Sequence, residues 1–141
     1  MASSLLPSQR VVQACLYLVA AIAVFGGSLQ LYLGEPQVSA RLDNVHRFMA
    51  GVYLATGIIS FWAASTIREQ GALVYLLALG VFFAGLGRLV SIGQVGLPEP
   101  HALWLAYLIP ELALPGVIAV AHAATGRRIA RAATAIVSAG P

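Results

Sequence analysis

Two charged residues interrupt long apolar stretches of the sequence, and they are the first candidates for chemistry. Arg88 lies within the apolar run 72–92, and Glu111 lies within the run 103–123. A charged side chain inside a membrane is costly, so it usually faces protein or water and has a partner. The sequence therefore predicts a salt bridge between Arg88 and Glu111, on consecutive helices and in the same half of a bilayer.

Such a pair has more than one interpretation. It could only hold two helices in register, or it could line a pocket for a polar headgroup, a quinone or an ion. We favour a non-enzymatic protein that binds a lipid-like or quinone-like ligand, or that acts as an accessory subunit of a membrane complex. One alternative is a membrane-embedded enzyme of lipid or isoprenoid chemistry that uses Glu111 as acid or base. A small oligomeric transporter is the other.

Polar residues at related positions extend the candidate site. Arg47 lies near the start of the apolar run 45–65, and two arginines with one acid leave an excess positive charge. An anionic headgroup or carboxylate would balance that charge; alternatively, Arg47 only extends to the membrane interface. The predicted ligand-binding cluster comprises Arg88, Glu111, Arg47, Tyr53, Ser91, Tyr107 and Asn44.

Residues three or four positions apart predict the inward faces of the two charged helices. Small residues let helices approach closely in membranes. The face expected around Arg88 carries Gly80, Ala84, Gly87 and Ser91. The face expected around Glu111 carries Trp104, Tyr107, Pro115, Ile118 and His122. Pro115 has no backbone N–H, so it frees the carbonyl of Glu111 one turn earlier.

Several other functions find no support in the residue pattern. His46, His101 and His122 are too dispersed to predict a metal site. Cys15 is the only cysteine, so no CxxC motif exists. The eight arginines are scattered and form no basic face, so we predict no nucleic-acid binding. The sequence Gly85-Leu86-Gly87 lies inside an apolar run with no strand before it, so it is no dinucleotide motif, and we predict no cofactor.

The elements that must position these residues are four apolar segments. Of the 141 residues, 60% are hydrophobic and 9% are charged, too few charges to cover a surface that faces water. The segments 11–33, 45–65, 72–92 and 103–123 are each near the roughly 20 residues that span a bilayer. Short connections favour antiparallel neighbours. We therefore predict an all-α fold, an antiparallel up-down-up-down four-helix transmembrane bundle.

The ends of these segments carry further predictions. The run 11–33 is longer than a signal-peptide core of about 7–15 residues, so we interpret it as a retained first helix. Asp43 or Asn44 is the expected N-cap of the second helix. Residues 1–10 are expected to form an N-terminal cytoplasmic segment, and 124–141 a basic cytoplasmic tail that is either a short helix or disordered.

Arginine distribution predicts the orientation. With both termini cytoplasmic, five arginines outside the segment interiors lie on that side and two on the other, as the positive-inside rule requires. The cytoplasmic five are Arg10, Arg68, Arg127, Arg128 and Arg131, and the other two are Arg41 and Arg47. The arginine-only basic content, with abundant Ala and Gly, suits a G+C-rich bacterial genome.

Four short motifs carry a family resemblance over about residues 13–123. They are 44–53 (NVHRFMAGVY), 85–91 (GLGRLVS), 96–98 (GLP) and 110–111 (PE). With them the chain resembles an uncharacterised bacterial family of small four-span membrane proteins, a domain of unknown function. The resemblance implies a four-helix fold in the inner membrane and no activity. DoxX-like proteins and sterol-synthesis scaffolds are similar only in size and span count.

The expected partners follow from the same features. They are the lipid bilayer, a lipid or quinone ligand, and a second copy or a larger membrane complex. A homodimer would form through faces of small residues.

Overall fold

Four long helices account for most of the chain. The structure, a computed structural model, describes residues 4–138. Within that range it contains α1 (Pro7–Leu33), α2 (Ala40–Ser65), α3 (Ala72–Val95) and α4 (His101–Ser138), and no strand. Each helix is long and apolar enough to cross a membrane. These helices confirm the all-α class and indicate a multi-pass membrane protein, while the up-down-up-down arrangement of all four stays a prediction.

The start of α2 differs from the sequence prediction. Its N-cap is Ser39, whose Oγ accepts a hydrogen bond of 3.2 Å from the N–H of Leu42. The prediction that Asp43 or Asn44 caps the helix was therefore wrong. Arg41, Asp43 and Asn44 lower the hydropathy of this stretch, but a helix that leaves the hydrocarbon no longer needs apolar side chains. Asp43 lies in the first turn instead, where the helix dipole favours a carboxylate.

The last helix continues well beyond its apolar segment. α4 has 38 residues, which at the usual rise corresponds to about 57 Å. A hydrocarbon core is only about 30 Å thick. Residues 124–138 of the predicted tail therefore form the final turns of α4, not a separate helix or a disordered segment. Residues 1–3 of the predicted N-terminal segment and residues 139–141 of the tail lie outside the described residues.

Residues 13–67 form one compact unit, in which α1 and α2 pack closely through glycines. A Cβ atom on Gly27 would lie 2.8 Å from the backbone nitrogen of Leu54, and one on Gly57 would lie 2.8 Å from Val24. Near the other end of the pair, the side chain of Gln13 donates a hydrogen bond of 2.9 Å to the carbonyl of Ala64. Since later residues of α2 contact earlier residues of α1, these two helices run in opposite directions.

Residues 4–12 and 68–138 form the other unit, built on α3 and α4. Its contacts also run in opposite directions along the two helices. The ring of Tyr75 lies against His122 near the start of α3, whereas Arg88 contacts Glu111 near its end. Buried residues recur on α4 at spacings of three, four or seven, which is the pattern of a helix packed along one face. They are Leu108, Glu111, Pro115, Ile118 and Thr125.

The packing face of α3 passes through Gly85, and the predicted small-residue face was wrong. A Cβ atom on Gly85 would lie 2.8 Å from the Leu112 side chain and 3.2 Å from Cβ of Glu111. At Gly80 and Gly87, by contrast, a Cβ atom would meet nothing within 4 Å. Positions 84, 85, 91 and 92 all lie three or four residues from Arg88, so spacing alone could not choose between the two faces.

Candidate functional site

The predicted salt bridge between Arg88 and Glu111 is present. Nε of Arg88 donates a hydrogen bond of 2.7 Å to Oε2 of Glu111. The Glu111 side chain is nearly buried, at 9% exposure, whereas the Arg88 side chain is 33% exposed. Within residues 4–138 the two Nη groups of Arg88 have no hydrogen-bond partner. The pair therefore has a buried acidic side and an accessible basic side.

Two aromatic rings complete the surroundings of the guanidinium. Cζ of Arg88 lies 5.7 Å from the centre of the Trp104 ring and 5.5 Å from the centre of the Tyr107 ring. Both distances are within the range of a cation–π interaction. The rings contact each other edge to face, with centres 6.5 Å apart. Nε1 of Trp104 also donates a 3.4 Å hydrogen bond to the carbonyl of Glu99, in the α3–α4 loop.

Local sequence explains how α4 presents these groups. Trp104, Tyr107 and Glu111 are three and four residues apart, so they follow one another along one face of the helix. Pro110 and Pro115 both lie inside α4, which remains helical across them. Because Pro115 lacks an N–H, the carbonyl of Glu111 has no helical donor four residues later. The missing side chain of Gly85 then allows α3 to approach the helix beside Glu111.

The Arg88–Glu111 pair lies within α3 and α4, away from the helix ends that the α3–α4 loop connects. Arg88 is about 10 Å before the end of α3 at Val95, and Glu111 is about 15 Å after the start of α4 at His101. Both helices qualify as membrane spans. Both residues therefore lie within the candidate membrane spans and not at the ends of their helices.

Arg47, another member of the predicted cluster, has local partners in the α1–α2 unit. Its Nε donates a hydrogen bond of 2.9 Å to Oδ2 of Asp43, one turn earlier in α2. Its Nη1 donates to the carbonyl of Leu31, at the end of α1. Asp43 in turn accepts a 2.7 Å hydrogen bond from the N–H of Glu35. We call these four residues the α1–α2 clamp, since they tie the end of α1 to the start of α2.

The remaining predicted members are divided between the two units. Tyr107 lies against Arg88, as described, while Ser91 is exposed on α3. In the α1–α2 unit, Asn44 is exposed. The ring of Tyr53 packs beside Gly26, where a Cβ atom would lie 3.2 Å from the ring. The structure thus brings Arg88, Glu111 and Tyr107 together within one unit. A ligand-binding role stays a prediction for all seven members of the cluster.

Residues 11–122 match the family described as domain of unknown function (DUF4345). The chain belongs to this family. Neither a curated protein nor a solved structure matches it significantly. Membership confirms the predicted resemblance to an uncharacterised domain family, and the matched range contains the whole predicted cluster.

Metal chemistry has no candidate in the part of the DUF4345 chain that the structure describes. Residues 4–138 contain no group of three or more His, Cys, Asp or Glu side chains that could hold a metal ion. His122, which faces the start of α3, uses its Nε2 atom in a 3.1 Å hydrogen bond with the carbonyl of Gly71. Its ring also contacts Tyr75, with centres 4.9 Å apart.

Sequence reasoning missed two neighbours of the candidate residues in this DUF4345 chain. Trp104 was placed on the Glu111 face but not in the ligand-binding cluster, although its spacing of three from Tyr107 brings both rings to Arg88. Asp43 was considered only as a helix cap. Its position four residues before Arg47 was the signal for the ion pair, because side chains at that spacing are neighbours on a helix.

Proposed function

We propose that this DUF4345 protein is a non-enzymatic protein of the bacterial inner membrane that binds a lipid-like or quinone-like ligand at Arg88. The observation that carries the proposal is the single-atom contact between Arg88 and Glu111. Only Nε donates a hydrogen bond to the carboxylate, at 2.7 Å, so the two Nη groups remain available to an oxygen acceptor. A pair that only locks two helices gains most from the two-bond contact that arginine makes with carboxylates.

Donors left free at this depth need an acceptor. Water is scarce in the hydrocarbon region, where an unpaired polar group is costly. The 33% exposure of the Arg88 side chain gives an amphipathic molecule access to the Nη groups. Its acyl or isoprenoid chain would remain among the lipids while its oxygen-bearing head binds the guanidinium.

Charge balance favours a neutral head. The sequence alone suggested an excess positive charge from Arg47 and Arg88. Asp43 matches the charge of Arg47 at 2.9 Å, however, and Glu111 matches that of Arg88. A quinone carbonyl accepts hydrogen bonds without adding charge, whereas a phosphate would add a negative charge beside Glu111. The Trp104 and Tyr107 rings also offer apolar faces to a flat ring.

The proposed orientation places both termini in the cytoplasm. Ser8 and Thr125 are linked by a 2.7 Å hydrogen bond, and His122 contacts Gly71. These contacts bring the start of α1, the start of α3 and the 120s of α4 to one end of their unit. Arg10, Arg68, Arg127, Arg128 and Arg131 follow or precede them in sequence. The positive-inside rule assigns this end to the cytoplasm, and the ligand site to the periplasmic leaflet.

Tryptophan fluorescence offers a direct test, because the chain has two tryptophans and only Trp104 lies beside Arg88. A Trp62→Phe protein in phosphatidylcholine nanodiscs would be titrated with a short-chain ubiquinone. We expect saturable quenching of Trp104. A Trp104→Phe protein, which reports from Trp62, is the matched control and should show only the gradual quenching caused by quinone dissolved in the bilayer.

Two further arms identify the ligand chemistry. Changing Arg88 to Gln in the Trp62→Phe protein removes a charged donor, so the apparent affinity should fall about 10- to 100-fold. Phosphatidylglycerol in the nanodiscs should compete only if the natural ligand is an anionic headgroup. Quenching that never saturates, is the same in both single-tryptophan proteins and does not respond to phosphatidylglycerol would refute ligand binding at this site.

A further inference from the structure

The end of α4 presents a second surface, separate from the ligand site and outside the matched family range 11–122. The last buried residue of α4 is Thr125, and every residue from Gly126 to Ser138 is exposed. We call residues 127–138 the basic extension. It contains three arginines and no acidic residue.

The basic extension is amphipathic. The spacing of three and four that defines the buried face of α4 continues from Thr125 through Ile129, Ala132 and Ile136. Ile129 is 55% exposed, Ile136 is 76% exposed and the neighbouring Val137 is 82% exposed. At 100° per residue, Arg127 and Arg131 lie on the opposite side of the helix and Arg128 lies at its flank. The basic extension therefore has an apolar stripe on one face and a basic stripe on the opposite face.

The junction with the membrane span has two features that allow a bend. Gly126 is a poor helix former and directly precedes Arg127. The Oγ1 atom of Thr125 donates a 3.1 Å hydrogen bond to the carbonyl of Ala121, one turn earlier. Threonine bonded to the backbone in this way often bends a helix.

We propose that the basic extension binds the anionic lipid surface of the leaflet where α4 leaves the membrane. Arg127, Arg128 and Arg131 would contact lipid phosphates, while the apolar stripe enters the boundary between headgroups and acyl chains. Basic amphipathic helices bind bilayers through this combination. The apolar stripe could be covered by anionic lipid or by the same stripe of a second copy. Charge favours lipid, because a second copy would bring three more arginines and no acidic residue to this surface.

A tryptophan placed in the apolar stripe tests this proposal on the full chain. With Trp62 and Trp104 both changed to Phe, Ile136→Trp would report from the stripe and Ala135→Trp from the basic side. Each protein would be placed, one copy per nanodisc, in phosphatidylcholine or in an equal mixture with phosphatidylglycerol. In the mixture only, Ile136→Trp should emit at shorter wavelength, resist acrylamide and be quenched by brominated lipid. Ala135→Trp should remain accessible to acrylamide.

The arginines supply the second arm of the test. Replacing Arg127, Arg128 and Arg131 together by Gln should shift the equilibrium away from the bound state on the order of 100-fold, so the protection of Ile136→Trp is lost. If acrylamide quenches the tryptophan of the Ile136→Trp protein equally in both kinds of nanodisc, the proposal is overturned. Protection that appears only when two copies share a nanodisc, and that survives the Gln changes, would assign the stripe to a second copy instead.

Discussion

Nε of Arg88 lies 2.7 Å from Oε2 of Glu111. This ion pair links the last third of α3 to the first third of α4. The carboxylate is the more deeply buried partner, so the two residues do not contribute equally. Removing the arginine leaves an unpaired acid at 9% exposure, while removing the acid leaves a cation with access to the surroundings. This asymmetry yields the first prediction.

A double-mutant cycle should separate stability from binding. We expect Arg88→Leu to destabilise the protein by about 1–3 kcal/mol, and Glu111→Leu by less, because an unpaired buried charge is the larger penalty. The double variant should recover much of the loss from Arg88→Leu, since no charge is then left unpaired. Thermal unfolding in detergent measures these differences.

The same variants distinguish the two interpretations of the pair. If Arg88 serves a ligand, the double variant should lose saturable quinone quenching although its melting temperature recovers. Retained quenching in the double variant would assign the pair a purely structural role.

The close approach of α1 and α2 at Gly27 gives a matched pair of glycine substitutions. A Cβ atom there would lie 2.8 Å from the backbone of Leu54 and 2.9 Å from that of Ala50, and backbone atoms cannot move aside easily. Gly27→Ala should destabilise the protein by about 1–3 kcal/mol through overpacking. Gly51→Ala, which meets nothing within 4 Å, should stabilise it by roughly 0.5–1 kcal/mol. Equal melting temperatures for the two variants would contradict the observed packing.

The corresponding pair of substitutions on α3 probes the proposed ligand site. Gly85→Ala would place a Cβ atom 2.8 Å from the flexible Leu112 side chain and 3.2 Å from Glu111. We expect a modest loss of stability, about 1 kcal/mol, because the leucine can rotate. Quinone affinity should fall as Glu111 shifts relative to Arg88. Gly87→Ala is the control, and an equal loss of affinity there would argue against a specific effect at Gly85.

The α1–α2 clamp should show coupling between Arg47 and Asp43, which form its ion pair. Arg47→Gln removes donors to Asp43 and to the Leu31 carbonyl, so we expect a loss of about 1 kcal/mol. Asp43→Asn should cost a similar amount, and the double change should cost less than the sum, because both variants break the same contact. Arg41→Gln, on an exposed arginine of the same helix, should have an effect within about 0.5 kcal/mol. Additive losses at 43 and 47 would show that the clamp does not act as a unit.

The sequence was sufficient for the four helices and for the central ion pair. Lipid excludes other ways to satisfy the backbone, so apolar runs of about 20 residues leave little choice of structure. Because an unpaired charge inside a membrane is costly, two opposite charges in neighbouring runs are expected to pair. Arg88 and Glu111 were predictable for that reason, and Tyr107 followed from its place on the Glu111 face.

Other features depended on information that hydropathy does not contain. The start of α2 at Ala40 and the continuation of α4 to Ser138 lie where polar residues remain helical outside the apolar core. The packing face of α3 depended on Gly85, which spacing could not separate from its neighbours. Arg47 is not the source of excess charge that the sequence predicted, because Asp43 balances its charge from one turn earlier on the same helix.

The pairing of Arg88 with Glu111 also has an electrical consequence. A lone charge that moved across the membrane would change in energy by about 2.3 kcal/mol per 100 mV. The two opposite charges, 2.7 Å apart, feel nearly the same potential, so the work done on one cancels the work done on the other. If the proposed neutral molecule binds at this polar centre, its binding should be the same whether the cell is energised or depolarised.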